Sequence, residues 1–372
     1  MRKLAVHNYK KLFRFYLIYG FKRTVVKALG RLRINVNIVL LLFPLKYFYS
    51  KKDIAVIGCG QFTFATIGFF ISKNFGRRIK YCFDIDQKNL DSFAKCYGVQ
   101  HRVIIKTGEQ LPKLKGISLA YIASNHYSHT DYALNLLEQG IDVYIEKPVS
   151  VNREQLAKIE QAYILNENRI YVGYNRPHSK AINELKKYLV DTPFTLTCTI
   201  AGHVIDSEHW YRDIKEGTRV CGNLGHWIDL AIDLLYATKS TIDLTVDIIW
   251  SDDENKDDNL CLVLKSARGD LISIVLTARN EPFEGINEMI FFQQDGVLAK
   301  IDDFREAEFQ IGTKKIKRKY YPKDVGHETA ILQPFHHIKR DFNCILVSSR
   351  LMLQVMEQIQ IKSKTNKFID KI

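Results

Sequence analysis

Apolar residues follow two different rhythms along this chain. Between residues 51 and 176 they form short runs that alternate with helix-compatible stretches. The runs are Ile54–Ile57, a run within RRIKYCFDIDQKN that ends at Asp84, Val103–Ile105, Ile117–Ala123, Ile141–Ile145 and Arg169–Val172. Six strands separated by helices predict a parallel, doubly wound sheet. From about Thr195 the rhythm changes. TLTCTIAG, TIDLTVDIIW, LCLVLKSA, DLISIVLTA, EMIFFQQD and EFQIGTKKIKRKYY are short alternating runs between polar turns. They predict an antiparallel or mixed sheet. DDENKDDN (252–259) reads as an acidic, solvated turn, and after Pro334 the pattern is helical to the C terminus. The expected fold is α/β: a doubly wound domain over 51–176, a second α/β domain over 177–333, and C-terminal helices over 334–372. No internal repeat or low-complexity segment interrupts this plan.

Ligands of doubly wound sheets bind beyond the carboxyl ends of the strands. The first strand runs into GCGQFT. Gly58 permits a tight turn, and Gly60 lets the backbone approach a pyrophosphate drawn to the following helix N terminus. The third glycine position of a dinucleotide fingerprint is held by Thr63. The second strand ends in Asp84, 24 residues after Gly60. A carboxylate there accepts hydrogen bonds from the ribose hydroxyls of NAD and repels the 2′-phosphate of NADP, so NAD is the expected cofactor. The alternative is helix capping, for which Asp86 also qualifies. Strands four to six end in SNHYSH (124–129), EKP (146–148) and GYNRPH (173–178). Three polar clusters thus fall where a cofactor and a substrate would meet.

The second domain carries one unusual polar stripe. On a helix, His226, Asp229, Asp233 and Tyr236 recur at 0, +3, +7 and +10 in a segment otherwise rich in Trp227, Ile228, Leu230, Ile232 and Leu235. Buried polar groups need partners, so the stripe is expected to face a polar pocket. His226 exchanges a proton near neutral pH, and Asp229 is placed to orient it. The bland alternative is a core histidine satisfied by backbone.

Length and charge sharpen this picture. A chain of 372 residues suits about two domains. The net charge of +13 is local: residues 1–52 hold 13 Lys/Arg and no Asp or Glu, leaving 41 basic and 41 acidic groups elsewhere. A neutral body excludes a nucleic-acid-binding one. Seven cysteines, at 59, 82, 96, 198, 221, 261 and 344, include no CxxC pair. This reads as a reduced, cytoplasmic chain with no disulfide framework and no metal site. Residues 1–50 mix Lys/Arg with aromatic and aliphatic residues. They lack the cleavage site of a signal peptide, and Ile34–Leu45 gives only 12 uncharged residues, against the ~20 that a membrane span needs. Two readings of this basic amphipathic extension stay open. It lies peripherally on an anionic membrane surface, or it packs on its own domain or a partner subunit.

At this point the motifs resemble a known family. GCGQFT after a strand, YIASNHYSHTDYALNLLEQGIDVYIEKPVSV and then VGYNR are similar to the Gfo/Idh/MocA oxidoreductases, which include glucose–fructose oxidoreductase and inositol dehydrogenase types. The resemblance runs from about residue 52 to about residue 240, and EKP is its most specific mark. HWYRDIKEGTRVCGNLGHWIDL further resembles members linked to nucleotide-sugar and surface-polysaccharide synthesis. Some of those are fused to a zinc-dependent alcohol dehydrogenase domain, which would join where residues 1–50 stand. The resemblance implies a Rossmann domain, a second α/β domain with a large open sheet, a nicotinamide cofactor and hydride transfer at a sugar carbon. Subunit contacts through the open sheet imply a homodimer or homotetramer.

The resemblance also implies a catalytic set: the EKP lysine, a histidine in the second domain and an aspartate four residues before it. Lys147 and His226 match. Position 222 is glycine, Asn223 is the nearest polar residue, and Asp229 matches another commonly acidic position. The proton route is therefore expected to run through Lys147, His226 and Asp229. General acid–base help is worth about 10²–10⁴-fold. Lys147 precedes Pro148, and an X–Pro bond adopts cis at modest cost, which would aim the lysine into the cleft. Burial beside the positive nicotinamide would lower its pKa. The alternative is that Lys147 only pairs with Glu146. The implied cofactor set is Gly58, Gly60, Gln61, Phe62, Asp84, Ser124, Asn125, His126, His129, Glu146 and Lys147. Helix capping is the alternative for Ser124, Asn125 and Ser128. Asn175 and Arg176 resemble a family element near the substrate, and Arg176 suits a phosphate or carboxylate. His203, His209, Trp210 and Arg212 are further candidates for the sugar site.

Three functions are consistent with these residues. The leading one is an NAD-dependent oxidoreductase acting on a hydroxyl or keto carbon of a sugar, in particular a nucleotide-linked sugar of polysaccharide synthesis. The second is a non-catalytic NAD-binding sensor or scaffold, suggested by Gly222 and the basic arm. The third uses transient oxidation on the same fold, as an epimerase or lyase would.

Overall fold

The computed structural model describes residues 2–48, 51–106, 109–279, 285–336 and 338–370, with side chains from Leu12 onward. The chain forms two compact units. One comprises 1–150, 154–173 and 327–339, and the other 151–153, 174–326 and 340–372.

The first unit is built on six parallel strands: β1 (Ile54–Ile57), β2 (Ile79–Asp84), β3 (His101–Ile104), β4 (Leu119–Ile122), β5 (Asp142–Ile145) and β6 (Ile170–Val172). Their order is β3-β2-β1-β4-β5-β6. All four residues of β1 and of β4 are buried, as central parallel strands covered on both faces require. The reversal of strand order beside β1 is the point where doubly wound sheets bind ligands.

The N-terminal extension begins with α1 (Arg2–Leu32), which is broken at Gly20 (φ 77°, ψ 170°). It ends with α2 (Ile38–Leu42), capped by Asn37 Oδ1 accepting from Leu40 N at 3.0 Å. Val26, Ile38, Val39, Leu42 and Phe43 are buried in one cluster with Val56, Phe64, Phe93 and Tyr97. Each such burial contributes about 1.5–3 kcal/mol. The stretch from Thr24 to Phe43 therefore packs on its own domain. The stretch before it does not: Leu12, Phe13, Tyr16, Leu17 and Phe21 are exposed. Among the described residues no helix is long and apolar enough to cross a membrane.

The remaining crossover helices of this unit are α3 (Gly68–Phe75), α4 (Gln87–Tyr97), α5 (His129–Glu138) and α6 (Arg153–Leu165). Asp86 caps α4, its Oδ1 accepting from Asn89 N at 2.7 Å.

The second unit holds a nine-stranded mixed sheet. Its strands are β7 (Thr195–Ala201), β8 (Asp243–Trp250), β9 (Leu260–Ser266), β10 (Leu271–Thr277), β11 (Asn287–Gln294), β12 (Val297–Asp302), β13 (Glu306–Ile311), β14 (Lys314–Lys319) and β15 (Thr365–Ile369). Their order is β14-β13-β12-β11-β7-β10-β9-β8-β15, with β7 and β10 parallel and every other pair antiparallel. The β14 edge carries five basic residues, which block edge-to-edge pairing. On the opposite edge lies β15. Helices α7 (Lys180–Lys186) and α8 (Gly225–Ala237) belong to this unit.

Two expectations are corrected here. Residues 327–339 belong to the first unit, where α9 (His327–His336) lies. The Tyr121 hydroxyl donates to the Ile331 carbonyl at 2.7 Å, and Ile331 is fully buried. Pro334 sits inside this helix rather than opening the C-terminal segment. The C terminus is also not all helix. After α10 (Phe342–Gln360) the chain pairs with β8 as β15, a strand whose sole buried side chain is Phe368. One buried residue in five leaves almost no alternation to read.

Candidate active site

In the first unit, β1 delivers the loop Gly58–Cys59–Gly60. Gly58 has φ +89°, and a Cβ there would lie 2.4 Å from the Ala123 carbonyl oxygen. Only glycine lets the loop turn against the end of β4. At Gly60 no atom lies within 4 Å of a Cβ position, so the loop faces open space on that side. The helical turn that follows presents amide N–H groups without intrahelical partners, which is what an anion needs. The residues present therefore fit the pyrophosphate of a dinucleotide. Thr63, at the third fingerprint position, is buried and opens a wide turn (Thr63–Ile67) that leads into α3.

Asp84 ends β2 and is buried. Its Oδ2 accepts from Cys59 N at 2.5 Å and its Oδ1 from Asp86 N at 2.8 Å. Both oxygens keep capacity for a further donor, since a carboxylate has about four acceptor sites. Helix capping belongs to Asp86. The Gln61 side-chain amide donates to the Lys27 carbonyl of the arm at 3.3 Å. Phe62 is part-exposed, with its ring edge-on to His327 at 5.7 Å.

The SNHYSH turn follows β4. Ser124 and Ser128 share a hydrogen bond of 2.7 Å, and the Ser128 hydroxyl reaches Asn125 Oδ1 at 2.7 Å. His126 is buried in the same turn, with its ring 5.9 Å from that of His129. His129 is fully enclosed. Its Nδ1 lies 2.9 Å from the Pro148 carbonyl and its Nε2 3.3 Å from the Ser124 carbonyl. Burial pushes its pKa down to about 4, so the ring is neutral at pH 7. His129 thus pins this turn to the residue after Lys147.

Glu146 and Lys147 follow β5, and the Lys147–Pro148 bond is cis. Three backbone bonds of 2.8 Å fix the strand ends: Ala123 N to Ile57 O, Glu146 N to Ile122 O and Gly173 N to Ile145 O. The buried Glu146 carboxylate accepts from the Tyr144 hydroxyl at 3.1 Å and from Lys147 N at 3.3 Å. Burial pushes its pKa up to about 7, against the pull of Lys147 and of the Tyr144 hydroxyl. Tyr144 is a partner that sequence reasoning missed. It reads as a plain core residue of β5, and only its hydroxyl sets it apart.

In the second unit, α8 carries the polar stripe. Asp229 is fully buried, and both its oxygens accept from Arg340 Nη1, at 3.0 and 2.8 Å. Asp233 receives Arg340 Nε at 3.2 Å and Lys186 Nζ at 2.5 Å. Burial pushes Asp229 up to about 6, with Arg340 pulling against it, so the pair is charged at pH 7. The carboxylate thus binds a guanidinium and anchors the helix, a partner that the expectation of an Asp229–His226 pair did not include. His226 lies at the first turn of α8, its ring edge-on to Tyr174 at 6.3 Å. Gly222 also has a physical reason. A Cβ there would sit 2.8 Å from the Tyr211 ring, so that ring fills the space an acid would occupy.

The other substrate candidates are mostly structural. Asn175 is buried, its amide donating to the Val325 carbonyl at 2.6 Å. Arg176 is buried against Glu288 and Asn175, so its charge is neutralised within the protein rather than offered to a substrate anion. His209 Nδ1 accepts from Tyr211 N at 3.1 Å and caps the turn Trp210–Arg212, while Trp210 is 43% exposed. Arg212 binds Asp258 at 3.0 Å, and the fully buried Arg219 binds Asp258 at 2.7 Å and the His203 carbonyl at 3.1 Å. The acidic turn 252–259 is therefore also a clamp, not only a solvated loop. Among the described residues no three His, Cys, Asp or Glu side chains converge as metal ligands would.

Comparison with known proteins agrees with this geometry. Residues 52–174 match the oxidoreductase family defined by its NAD-binding Rossmann fold, Gfo/Idh/MocA. The inositol 2-dehydrogenase of Burkholderia cenocepacia is 25% identical over 151 residues, which cover 39% of this chain and 44% of that protein. The glucose-6-phosphate 3-dehydrogenase of Bacillus subtilis is 26% identical over 160 residues, covering 41% and 43%. The chain thus spans less than half the length of these curated relatives. Solved structures match the fold more broadly. A putative myo-inositol dehydrogenase from Sinorhizobium meliloti aligns over 86% of this chain and 99% of that one, with TM-score 0.67 and 14% identity. The WlbA dehydrogenase from Chromobacterium violaceum, solved with NADH and UDP-GlcNAcA, aligns over 87% and 97%, with TM-score 0.68 and 14% identity. On the glycine loop, the strand order and this match, residues 52–174 form an NAD-binding Rossmann domain of the Gfo/Idh/MocA oxidoreductase type.

Proposed function

We propose that this protein is an NAD-dependent oxidoreductase that interconverts a hydroxyl and a keto carbon of a sugar, carried on a nucleotide and used in polysaccharide synthesis. The observation that carries this reading is the set of strand ends of the first unit. Gly60 faces open space, Asp84 closes β2, and Lys147 stands at a rigid end of β5 beside the near-neutral Glu146. Bound NAD supplies the hydride acceptor. Gly58 and Gly60 would admit its pyrophosphate, and Asp84 would accept from its ribose. Ser124, Asn125 and His126 lie along the loop assigned to the nicotinamide ribose, while His129 holds that loop. Lys147 and His226 are the proposed proton-handling residues. Asp229 contributes by anchoring α8, and Trp210 remains a substrate-contact candidate. Purified protein incubated with NAD and a panel of free and nucleotide-linked sugars is expected to form NADH with a nucleotide sugar. NAD binding without turnover on any sugar, and without isomerised or eliminated product by mass spectrometry, would favour the sensor reading suggested by Gly222.

We further propose that the enzyme is cytoplasmic, a homo-oligomer through the open sheet face, and peripheral to a membrane. The row Ile249–Cys261–Val275–Thr199–Met289 crosses that face, with Ile249 62% and Met289 53% exposed. For the membrane, the support is the exposed set Leu12, Phe13, Tyr16, Leu17 and Phe21 in a segment without acidic residues. Apolar side chains flanked by cations suit an anionic interface. Co-sedimentation with phosphatidylserine vesicles is expected to fall as salt rises, and to fall severalfold in the triple variant Phe13→Ser, Leu17→Ser, Phe21→Ser. Equal binding by that variant would remove the arm from membrane contact.

A further inference from the structure

The arm does more than cover apolar surface, because its last turn is built onto the glycine loop. Gly30 packs so closely that a Cβ would lie 2.6 Å from Phe64 Cδ1 and 3.1 Å from Gln61 Oε1. Gln61 in turn donates to the Lys27 carbonyl. Cys96 Sγ donates to the Ile34 carbonyl at 3.2 Å. Between these contacts stands Arg33, in left-handed backbone (φ 52°) where α1 ends. A non-glycine residue there costs free energy and persists only where its surroundings enforce it.

The guanidinium of Arg33 donates from Nη1 to the Cys59 carbonyl at 3.2 Å and to Ser92 Oγ at 3.2 Å. Cys59 is also the residue whose N–H is held by Asp84 Oδ2 at 2.5 Å. Anion and cation therefore grip the same residue of the loop, one at its amide and one at its carbonyl. The two charges lie at one corner, and Arg33 feels the charge of Asp84. Asp84 alone would make that corner repel a phosphate. With Arg33 present the charge of Asp84 is offset, although Asp86 lies close by as a second carboxylate.

We infer that Arg33, supplied from outside the nucleotide fold, is a specificity-determining residue: it offsets Asp84 so that a dinucleotide bearing a 2′-phosphate is admitted beside one that lacks it. This rests on the proposed reading of the first unit as a dinucleotide site, and it deepens that reading. NAD stays preferred through the ribose hydroxyls, but the penalty against NADP is small. Arg33 acts through charge, so lysine substitutes for it and glutamine does not. A purely structural role would instead lower the affinity for both dinucleotides by one common factor.

The test is calorimetric titration of the full chain with NAD and with NADP, for wild type, Arg33→Gln and Arg33→Lys, each first checked for folding by circular dichroism. Wild type is expected to bind NADP within about tenfold of NAD. Arg33→Gln is expected to widen the NADP/NAD ratio of Kd values by about a further tenfold, and Arg33→Lys to leave it within about threefold. In wild type, rising salt is expected to weaken NADP more steeply than NAD, because a screened ion pair is lost only with the former. This second reading holds even if Arg33→Gln does not fold. An unchanged ratio, or equal salt slopes, would overturn the assignment of Arg33 alone, as would a wild type that binds NAD and rejects NADP. A wild type that binds neither dinucleotide would overturn the site itself.

Discussion

Replacing Lys147 with alanine is expected to lower kcat by about 10²–10⁴-fold while leaving the Kd for NAD within a few-fold. The asymmetry follows from how the residue is held. The end of β5 is fixed by backbone bonds to β4 and β6, so the loss of one side chain does not loosen the cradle at Gly58–Gly60 on β1. Lys147→Arg separates two roles. It keeps the positive charge but cannot give up its proton at working pH. If Lys147 moves a proton, the arginine variant is nearly as slow as the alanine one. If the residue supplies only charge, the arginine variant retains most of its rate. The measurement is steady-state turnover with NAD and the sugar that proves active. Wild-type turnover in Lys147→Ala would remove the residue from the mechanism.

The largest loss of stability is expected at Arg340. Its guanidinium is buried between Asp229 and Asp233, and removing one partner of a buried ionic cluster costs about 3–5 kcal/mol. Arg340→Leu fills the space and leaves the charge of Asp229 unanswered. The pH dependence identifies the cause. Asp229 already has a pKa pushed up to about 6 by burial, and loss of Arg340 drives it higher. A carboxyl whose folded pKa exceeds its unfolded value takes up a proton on folding, so its contribution to stability grows as pH falls through the folded pKa. In chemical denaturation the deficit of Arg340→Leu should therefore be largest above pH 7 and shrink towards pH 5. The double variant Arg340→Leu, Asp229→Asn should be insensitive to pH in that window and recover part of the loss. A deficit that does not vary with pH would point to lost packing instead of the stranded charge.

How much of this was legible depends on whether the signal was local. The strands β1, β4 and β6 stand in the sequence as unbroken apolar runs, because strands buried on both faces have no polar side to interrupt them, whereas the edge strand β3 is HRVI and largely exposed. The glycine loop is equally local: Gly58 must turn where β4 ends. The partners of the polar stripe are not local. Period 3.6 puts Asp229 on one face of α8, but no spacing rule points to Arg340, 111 residues away. The same holds for Arg176, a cation in a short turn whose buried partner Glu288 lies on β11, 112 residues away. Residue types announce chemistry, whereas burial decides whether that chemistry faces a ligand or the protein itself. Gly222 shows the reverse case, in which a missing side chain is explained by Tyr211, a ring eleven positions earlier.

The placement of β15 and α9 bears on the order in which this protein can be made. The edge of the nine-stranded sheet is supplied by residues 365–369, and the first unit needs Ile331 in its core. Neither unit is a continuous stretch that closes as it leaves the ribosome. Until residues 327–336 are made the surface that receives α9 is bare, and until residues 365–369 are made β8 stands as an open edge. The nascent chain therefore passes through a stage in which both halves are nearly built and neither is sealed.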